Sequence, residues 1–292
     1  MKALYDLPAP AKLNLFLHIT GRREDGYHLL QSVFMLLDWC DTLHVERRDD
    51  GVLSREDLTT ALPADDLVLR AARALQAFAG SGQGAHIGVA KHVPAQAGMG
   101  GGSSDAATCL LALNRLWGLD LPLSTLEKIG LSLGADVPFF LRGRNAWVEG
   151  IGERITPIDL PPARFAVVKP VEGIDTRLIF AAPDLQRATP AAIIAGFAAN
   201  HGVDRLEQFR FGHNDLQPVA QRLCPAVTQA IEWLGSHGLQ ARMTGSGSAV
   251  FATMPQEAHL SDISGIPEGW QVRQCSNMAV HPLAGWAASD IS

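Results

Sequence analysis

Cysteine is scarce and unpatterned in this chain: Cys40, Cys109, Cys224 and Cys275 are the only four among 292 residues, and none stands in CxxC spacing. That excludes a disulfide framework and a cysteine-based zinc module, and leaves small apolar core residues suited to a reducing compartment. Long hydrophobic runs are missing too. No segment reaches the roughly 20 apolar residues that cross a bilayer, and Met1-Lys-Ala-Leu-Tyr-Asp-Leu-Pro8 holds no continuous apolar stretch of the signal-peptide kind. A cytoplasmic protein with no membrane partner is expected. Basic residues are outnumbered, 24 Lys and Arg against 30 Asp and Glu, for a formal charge of -6. No nucleic-acid partner is expected either, because nothing supplies the positive footprint that a phosphate backbone requires.

Two familiar phosphate-loop signatures are also absent, which is informative because a glycine loop is present. Gly98-Met-Gly-Gly-Gly-Ser-Ser-Asp-Ala-Ala-Thr108 lies between a strand-like segment and a strongly helical run. Glycines let the main chain take φ > 0 and approach an anion closely. The helix that follows offers unpaired first-turn N–H groups and the positive end of its dipole. Ser103 and Ser104 are suited both to cap that helix and to donate to phosphate oxygens. A Walker A loop would end in Gly-Lys-Ser/Thr, and no lysine follows these glycines; a dinucleotide fingerprint would need glycine where Ser103 stands. The segment reads as a phosphate cradle of another kind in preference to a flexible linker, since linkers are not clamped between a strand and a buried helix. A Cβ branch at Gly101 is expected to intrude where backbone meets phosphate.

Around the loop the chain mixes strands and helices. Lys12 to Ile19 alternates polar and apolar residues, the period of a half-buried strand, so Lys12 and Asn14 share a face. Asp25-Gly26 is a turn signal, and Val33–Leu37 and Asp41–Glu46 read as strands. A helix over 66–78 is capped by Asp65 or Asp66, with Leu67, Ala71, Ala74, Leu75 and Phe78 on one stripe, and ends at Gly80. After the loop, Ala106, Cys109, Leu110, Leu113 and Trp117 mark a buried helix stopped by Gly118. Ser124-Thr-Leu-Glu127 has the pattern of a capping box for another helix, which ends near Gly134. Ala135-Asp-Val-Pro-Phe-Phe-Leu141 then displays Asp136 before a strand-like apolar run, with Pro138 blocking helix continuation. Prolines 157, 161 and 162 precede a strand at Phe165–Val168, and 292 residues exceed one compact core. Two domains, 1–157 and 158–292, with α+β architecture are expected. The second carries a helix from Pro225 to Gly238 and a strand after Thr244-Gly-Ser-Gly-Ser248.

The ordered set Pro10-Ala-Lys-Leu-Asn14, Asp25-Gly-Tyr-His28, Gly98-Met-Gly-Gly-Gly-Ser-Ser-Asp105, Gly134-Ala-Asp-Val-Pro138 and Met243-Thr-Gly-Ser-Gly247 resembles the GHMP kinases, whose members include galactokinase, homoserine kinase and mevalonate kinase. The match runs from Pro10 to about Ala252. Within the family it is most similar to the members that act on 4-diphosphocytidyl-2-C-methyl-D-erythritol. The resemblance implies ATP-dependent phosphorylation of the C2 hydroxyl of that substrate, in the non-mevalonate route to isoprenoid precursors. It implies a two-domain GHMP kinase fold: an N-terminal kinase domain with a left-handed βαβ crossover, a C-terminal ferredoxin-like domain, and an active site in the cleft between them.

The same resemblance assigns residues. Asp136 is the expected base, with Lys12 beside it keeping it ionised and offsetting phosphate charge, and Asn14 orienting substrate or lysine. Tyr27 and His28 match residues that recognise cytidine, with Thr176, Phe180, Gly245 and Ser246 as further substrate contacts. Asp66 and Leu67 border the adenine pocket. Pro94, Ala95, Gln96, Ala97, Gly98, Met99, Gly100, Gly101, Gly102, Ser103 and Ser104 form the ATP cradle. The family's typical Pro-x-Gly-Gly-Gly-Leu-Gly-Gly-Gly-Ser-Ser loop departs here to Ala95-Gln-Ala97 before Gly98 and to Met99 in place of leucine. Mg²⁺ is expected with ATP; its protein ligands are unassigned, Ser104 being a candidate. A GHMP kinase for another small alcohol, such as mevalonate or a sugar, is the alternative reading, and the Tyr27-His28 pair argues against it. A binding-only module is a third, disfavoured by the Lys12/Asp136 pair. The expected assembly is a monomer or weak homodimer.

Overall fold

One strand organises the N-terminal half. In the computed structural model, which describes residues 1–199, 207–255, 257–260 and 263–288, β1 (Ala3–Arg22) and β2 (His28–Arg48) form a long antiparallel hairpin around the Asp25-Gly26 turn. The two expected segments 33–37 and 41–46 are parts of this single β2. Its second edge is shared by β5 (Ala146–Gly150), β10 (Gln271–Met278) and β4 (Gly84–Ala90), taken in order along the strand. β3 (Leu53–Asp57) lies parallel to β4, joined to it through α1 (Leu67–Ala79), and β6 (Arg154–Pro157) pairs with β5. The other half of the sheet runs β10, β7 (Arg164–Lys169), β9 (Val250–Met254), β8 (Ala241–Met243). Among the described strands, β10 stitches the two half-sheets, with six pairs to β7 and only two to β2.

Helices cover the faces. α2 (Gly101–Leu116), α3 (Leu123–Leu133) and α4 (Val137–Arg142) pack with α1 on β1, β2 and β4 to make one core. α5 (Thr176–Ala181), α7 (Gln217–Leu223) and α8 (Pro225–Ser236) make a second on β7 and β9; α6 (Ile194–Ala199) borders a third between the half-sheets, where Phe16, Phe165, Phe197 and Phe251 meet. The fold is α+β. All four cysteines are free, and among the described residues no helix is long and apolar enough to cross a membrane.

Five local expectations fail. β1 is not half-buried: Ala9 through Ile19 is buried on both faces, because the glycine loop and the Thr244 segment cover the face that carries Lys12 and Asn14. Lys12 N–H donates to the Met99 carbonyl (2.9 Å) and Asn14 N–H to Thr244 Oγ1 (2.8 Å). Neither Ser103 nor Ser104 caps α2, which starts two residues earlier from Gly100 in the left-handed region. The Ser124/Glu127 capping box does not form; Pro122 precedes α3, and Glu127 pairs with Arg142 at 2.6 Å instead. Pro138 opens a helix rather than forbidding one, since its missing N–H is harmless in a first turn. Phe78 also leaves the buried stripe of α1 and is exposed, while Asp66 does cap that helix through Leu69 N–H (3.0 Å).

Candidate active site

The strand register sets the first half of the site. Lys12 and Asn14, two residues apart on β1, stand opposite Leu36 and Phe34 of β2. Lys12 Nζ donates to Asn14 Oδ1, sits 4.2 Å from the Phe34 ring centroid and reaches Asp136 Oδ2 at 3.4 Å. Asn14 Nδ2 donates to Ser32 Oγ (2.8 Å), which fixes its amide so that the oxygen faces the lysine. The lysine side chain is 5% exposed and the aspartate 30%. Burial therefore lowers the Lys12 ammonium pKa, and the Asp136 charge offsets this only in part. An incoming polyanion would restore what burial removes.

Asp136 is presented by a break between two helices. Gly134 ends α3 and α4 starts at Val137. Six residues do not sustain a helix by themselves, but Phe139 and Phe140 are fully buried, contributing about 1.5–3 kcal/mol each. The core thus holds α4, and α4 holds Asp136. The carboxylate makes no capping bond to α4, so its oxygens remain available to the cleft and to Lys12.

The glycine loop closes against the same lysine. A Cβ on Gly100 would lie 2.9 Å from the Phe140 ring and 3.1 Å from Lys12 Cγ, and its φ is +70°, so only glycine fits. A Cβ on Gly98 would run into the Thr244 carbonyl and approach Gly247 N to 2.8 Å. Two glycine loops distant in sequence are thereby pressed together. Ser248 N–H donates to the Gln96 carbonyl (3.1 Å) and Ala249 N–H to that of Ala97 (3.3 Å). Met99 is buried in the third core, filling the place of an apolar anchor. Pro94 is half-buried, and Ala95 and Gln96 are exposed. Gly102 is exposed beside Leu67, Ser103 Oγ lies by Gly134 just before Asp136, and Ser104 Oγ is buried without a partner. Asp66 is committed to the α1 cap and to Arg55 at 2.7 Å.

A cleft of about 770 Å³ brings these pieces together. Lys12, Asn14, Gly98 and Asp136 line it, with Tyr27, His28, Thr176, Phe180, Gly245 and Ser246. Because β2 pairs Phe34 with Asn14 and His28 with Arg22, six residues of strand separate the two groups, about 20 Å. The His28 and Phe180 rings are 5.0 Å apart, and Tyr27 is exposed beside them. Thr176 Oγ1 and Ser246 Oγ share a 2.6 Å hydrogen bond that ties the start of α5 to the second glycine loop. The arrangement can set a carboxylate next to a desolvated cation, receive anions on main-chain N–H groups, and hold a planar ring at a distance.

Models of the GHMP kinases N terminal domain and the GHMP kinases C terminal domain match residues 66–144 and 197–265. The 4-diphosphocytidyl-2-C-methyl-D-erythritol kinase of Variovorax paradoxus (strain S110) is 77% identical, over 98% of this chain and 100% of its own. The chain belongs to the GHMP kinases. The enzyme of the same name from Verminephrobacter eiseniae (strain EF01-2) is 66% identical over 99% and 100% of the two chains. A crystal structure of 4-(cytidine 5'-diphospho)-2C-methyl-D-erythritol kinase shares the fold with a TM-score of 0.76 at 33% identity, covering 93% of this chain and 98% of that one.

In this GHMP kinase three features of the site have no local sequence signal. Arg22 and Arg177 line the cleft together with Asp25 of the turn motif. Arg187 reaches His28 from 159 residues away. Behind the glycine loop, Lys91 Nζ donates to Asp41 Oδ2 and to Asp105 Oδ2 (2.6 Å), while Asp41 Oδ1 accepts from His92 N–H (2.5 Å) and Val93 N–H (2.7 Å). Burial opposes the Lys91 charge, but the two carboxylates outweigh it and raise its pKa. Asp105 is pushed up to about 7 by burial, with Asp41 adding to the shift and Lys91 opposing it. Asp105 stood inside the glycine motif, and its spacing alone gave no partner.

Proposed function

We propose that the cleft catalyses ATP-dependent phosphorylation of the C2 hydroxyl of 4-diphosphocytidyl-2-C-methyl-D-erythritol, giving the 2-phosphate and ADP, a step toward isoprenoid precursors. The observation that carries this reading is the separation of two unlike groups in one cleft: Lys12, Asn14 and Asp136 gather at Phe34, and six residues of β2, about 20 Å of strand, lead from Phe34 to His28, where the Tyr27 and Phe180 rings also line the cleft. A short alcohol would leave the ring-lined part empty. An extended substrate with a base at one end and a polyol at the other occupies both. The names of the relatives point the same way.

In the proposed step the C2 hydroxyl oxygen attacks the γ-phosphorus, its proton passes to Asp136 Oδ, and ADP leaves with the electrons of the broken P–O bond. Lys12, 3.4 Å from the Asp136 carboxylate, offsets charge on the transferring group, and Asn14 fixes the lysine. Residues 94–104 hold the triphosphate on main-chain N–H groups. Leu67 and the backbone at Asp66 border the adenine, the Asp66 carboxylate being engaged elsewhere. Thr176, Gly245 and Ser246 face the diphosphate and erythritol. The working division is a catalytic domain over 1–157 and a substrate domain over 158–292, in a cytoplasmic enzyme, monomeric or weakly dimeric, without membrane or nucleic-acid partners.

Mg²⁺ fits this site as an ion carried by the nucleotide. No group of three or more His, Cys, Asp or Glu among the described residues is arranged to cage a metal, whereas Ser104 Oγ is a buried hard-oxygen donor without a partner. Mg²⁺ takes phosphate oxygens, waters and one or two protein oxygens, so Ser104 would hold it, and the ion would supply charge neutralisation on the triphosphate. A coupled assay of ADP release with the cytidyl substrate, mevalonate, galactose and homoserine tests the reading. Turnover restricted to the cytidyl substrate is expected; preference for any other alcohol overturns the substrate, and release with none overturns the kinase reading.

A further inference from the structure

Arg187 lies outside the cleft wall, yet its hydrogen bonds determine what the cleft wall presents. Its Nε–H donates to His28 Nε2 (3.2 Å). Its other guanidinium nitrogens donate to the carbonyls of Phe180 (3.2 Å), Ala182 (2.6 Å), Pro183 (3.5 Å) and Leu185 (3.1 Å), the turn that leaves α5. One side chain thus joins the first residue of β2 to the C-terminal end of the helix that carries Thr176 and Phe180.

The chemistry of the two partners fixes a proton. A guanidinium has only donors and does not lose its charge in proteins. His28 Nε2 therefore accepts, and the ring proton of the neutral imidazole must sit on Nδ1. We propose that Arg187 is a specificity-positioning residue: by occupying His28 Nε2 it holds the imidazole as the Nδ1–H tautomer, so that the cleft offers a hydrogen-bond donor to the base of the substrate. This rests on the reading that the pyrimidine lies against Tyr27, His28 and Phe180. Cytosine presents an unprotonated ring nitrogen at N3, an acceptor, flanked by an acceptor carbonyl at C2. Uracil presents N3–H, a donor, at the same place. A fixed donor on the protein pairs with the first and opposes the second, and a ring free to change tautomer would accept either.

Charge around the ring acts in the same sense. His28 is half-buried, and burial, then the charge of Arg187, then that of Arg22, lower its pKa. Lys12, Asp25, Asp136 and Arg177 are the other charged residues on the cleft wall. At neutral pH the ring is thus neutral, and its tautomer, not a positive charge, decides what it donates.

The test compares wild type, Arg187→Met, Arg187→Lys and His28→Ala on the cytidyl substrate and its uridyl analogue between pH 5.5 and 8, with ATP KM and thermal unfolding measured on each. Arg187→Met is expected to raise KM for the cytidyl substrate with kcat nearly unchanged, and to cut the cytidyl-to-uridyl ratio of kcat/KM about tenfold. That ratio should become pH-dependent. An imidazolium always carries Nδ1–H, so preference should recover as pH falls through the raised His28 pKa, while wild type stays flat over the range. Loosening of α5 by lost packing predicts no such recovery. Long-range ¹⁵N spectra of histidine-labelled protein give an independent readout: Nδ1 protonated in wild type, mixed tautomers in Arg187→Met. Should Arg187→Met fold poorly, Arg187→Lys, which keeps the charge without the planar fork, should show the same direction to a smaller degree. If His28→Ala narrows discrimination but both Arg187 variants keep it in full, the tautomer lock is wrong. If His28→Ala leaves discrimination intact as well, the placement of the pyrimidine is wrong and the proposal falls with it.

Discussion

Two buried lysine–aspartate clusters lie on either side of the glycine loop, and they differ in every respect that separates chemistry from architecture. At Lys12 one lysine meets one aspartate, the aspartate is 30% exposed to the cleft, and burial outweighs attraction, so the ammonium pKa falls. At Lys91 one lysine meets two aspartates that are 0% and 3% exposed, and attraction outweighs burial, so the ammonium pKa rises. The second cluster sets two carboxylates against one lysine, and burial first, with the charge of Asp41 adding to it, raises the Asp105 pKa. It ties β2, the strand end at Lys91 and the N-terminal part of α2 into one unit. The first cluster is the one that opens to the cleft. A desolvated pair that opens to a cleft is the mark of reactive chemistry; a charge network sealed behind a loop is the mark of a scaffold.

The largest expected effect is on the scaffold. Lys91→Met strands two buried carboxylates and should cost about 3–5 kcal/mol of stability, read from denaturant unfolding, while the folded fraction keeps near-normal kcat. Lys12→Met should do the reverse. Its activity should fall by about 10² to 10³-fold. Its stability should hold or rise, because a lysine whose folded pKa is lowered is destabilising in its charged form at neutral pH. If Lys12→Met unfolds the protein and Lys91→Met abolishes turnover without loss of stability, the two roles are exchanged. Gly101 belongs to this contrast as well: its Cβ direction faces Val93, Asp41 and Lys91 at 3.2–3.4 Å rather than a phosphate site, so the expectation that a side chain there intrudes on phosphate gives way to one of strain on the scaffold.

These roles were unequally legible in the sequence. Strand alternation, a local rule, puts Lys12 and Asn14 on one face, and Gly134 and Pro138 punctuate the junction that displays Asp136. Burial of that face was not visible, since the segment that covers it comes from Thr244, 230 residues from Asn14. The helix start after the loop was misplaced because a glycine in the left-handed region can begin a helix without any capping side chain. Lys91, Asp41 and Arg187 carried no signal at all. Their partners lie 14, 50 and 159 residues away, and a lone lysine or arginine is by default a solvated one.

Smaller effects sharpen the contrast. His28→Ala should raise KM for the cytidyl substrate by about 1–3 kcal/mol in binding terms with ATP KM unchanged; a loss of ATP affinity instead would mean that the Gly26-Tyr27-His28 segment serves the donor nucleotide. The smallest concerns pH. Because the folded pKa of Asp105, about 7, lies above its ordinary 3.8, its contribution to stability is full below about 3.8 and is lost as pH rises through about 7. Thermal unfolding of wild type across that window should carry this downward slope, and Asp105→Asn, which cannot titrate, should lack it.

The most direct measurement is a single-turnover rate for Asp136→Asn with ATP and cytidyl substrate both saturating, alongside nucleotide affinity and unfolding temperature on the same preparation. The amide keeps the shape of the carboxylate and removes its ability to take a proton. The phosphoryl-transfer step should slow by about 10² to 10⁴-fold while affinity and unfolding temperature stay at wild-type values. A single-turnover rate close to wild type would contradict the assignment of the cleft-facing pair as the reactive one.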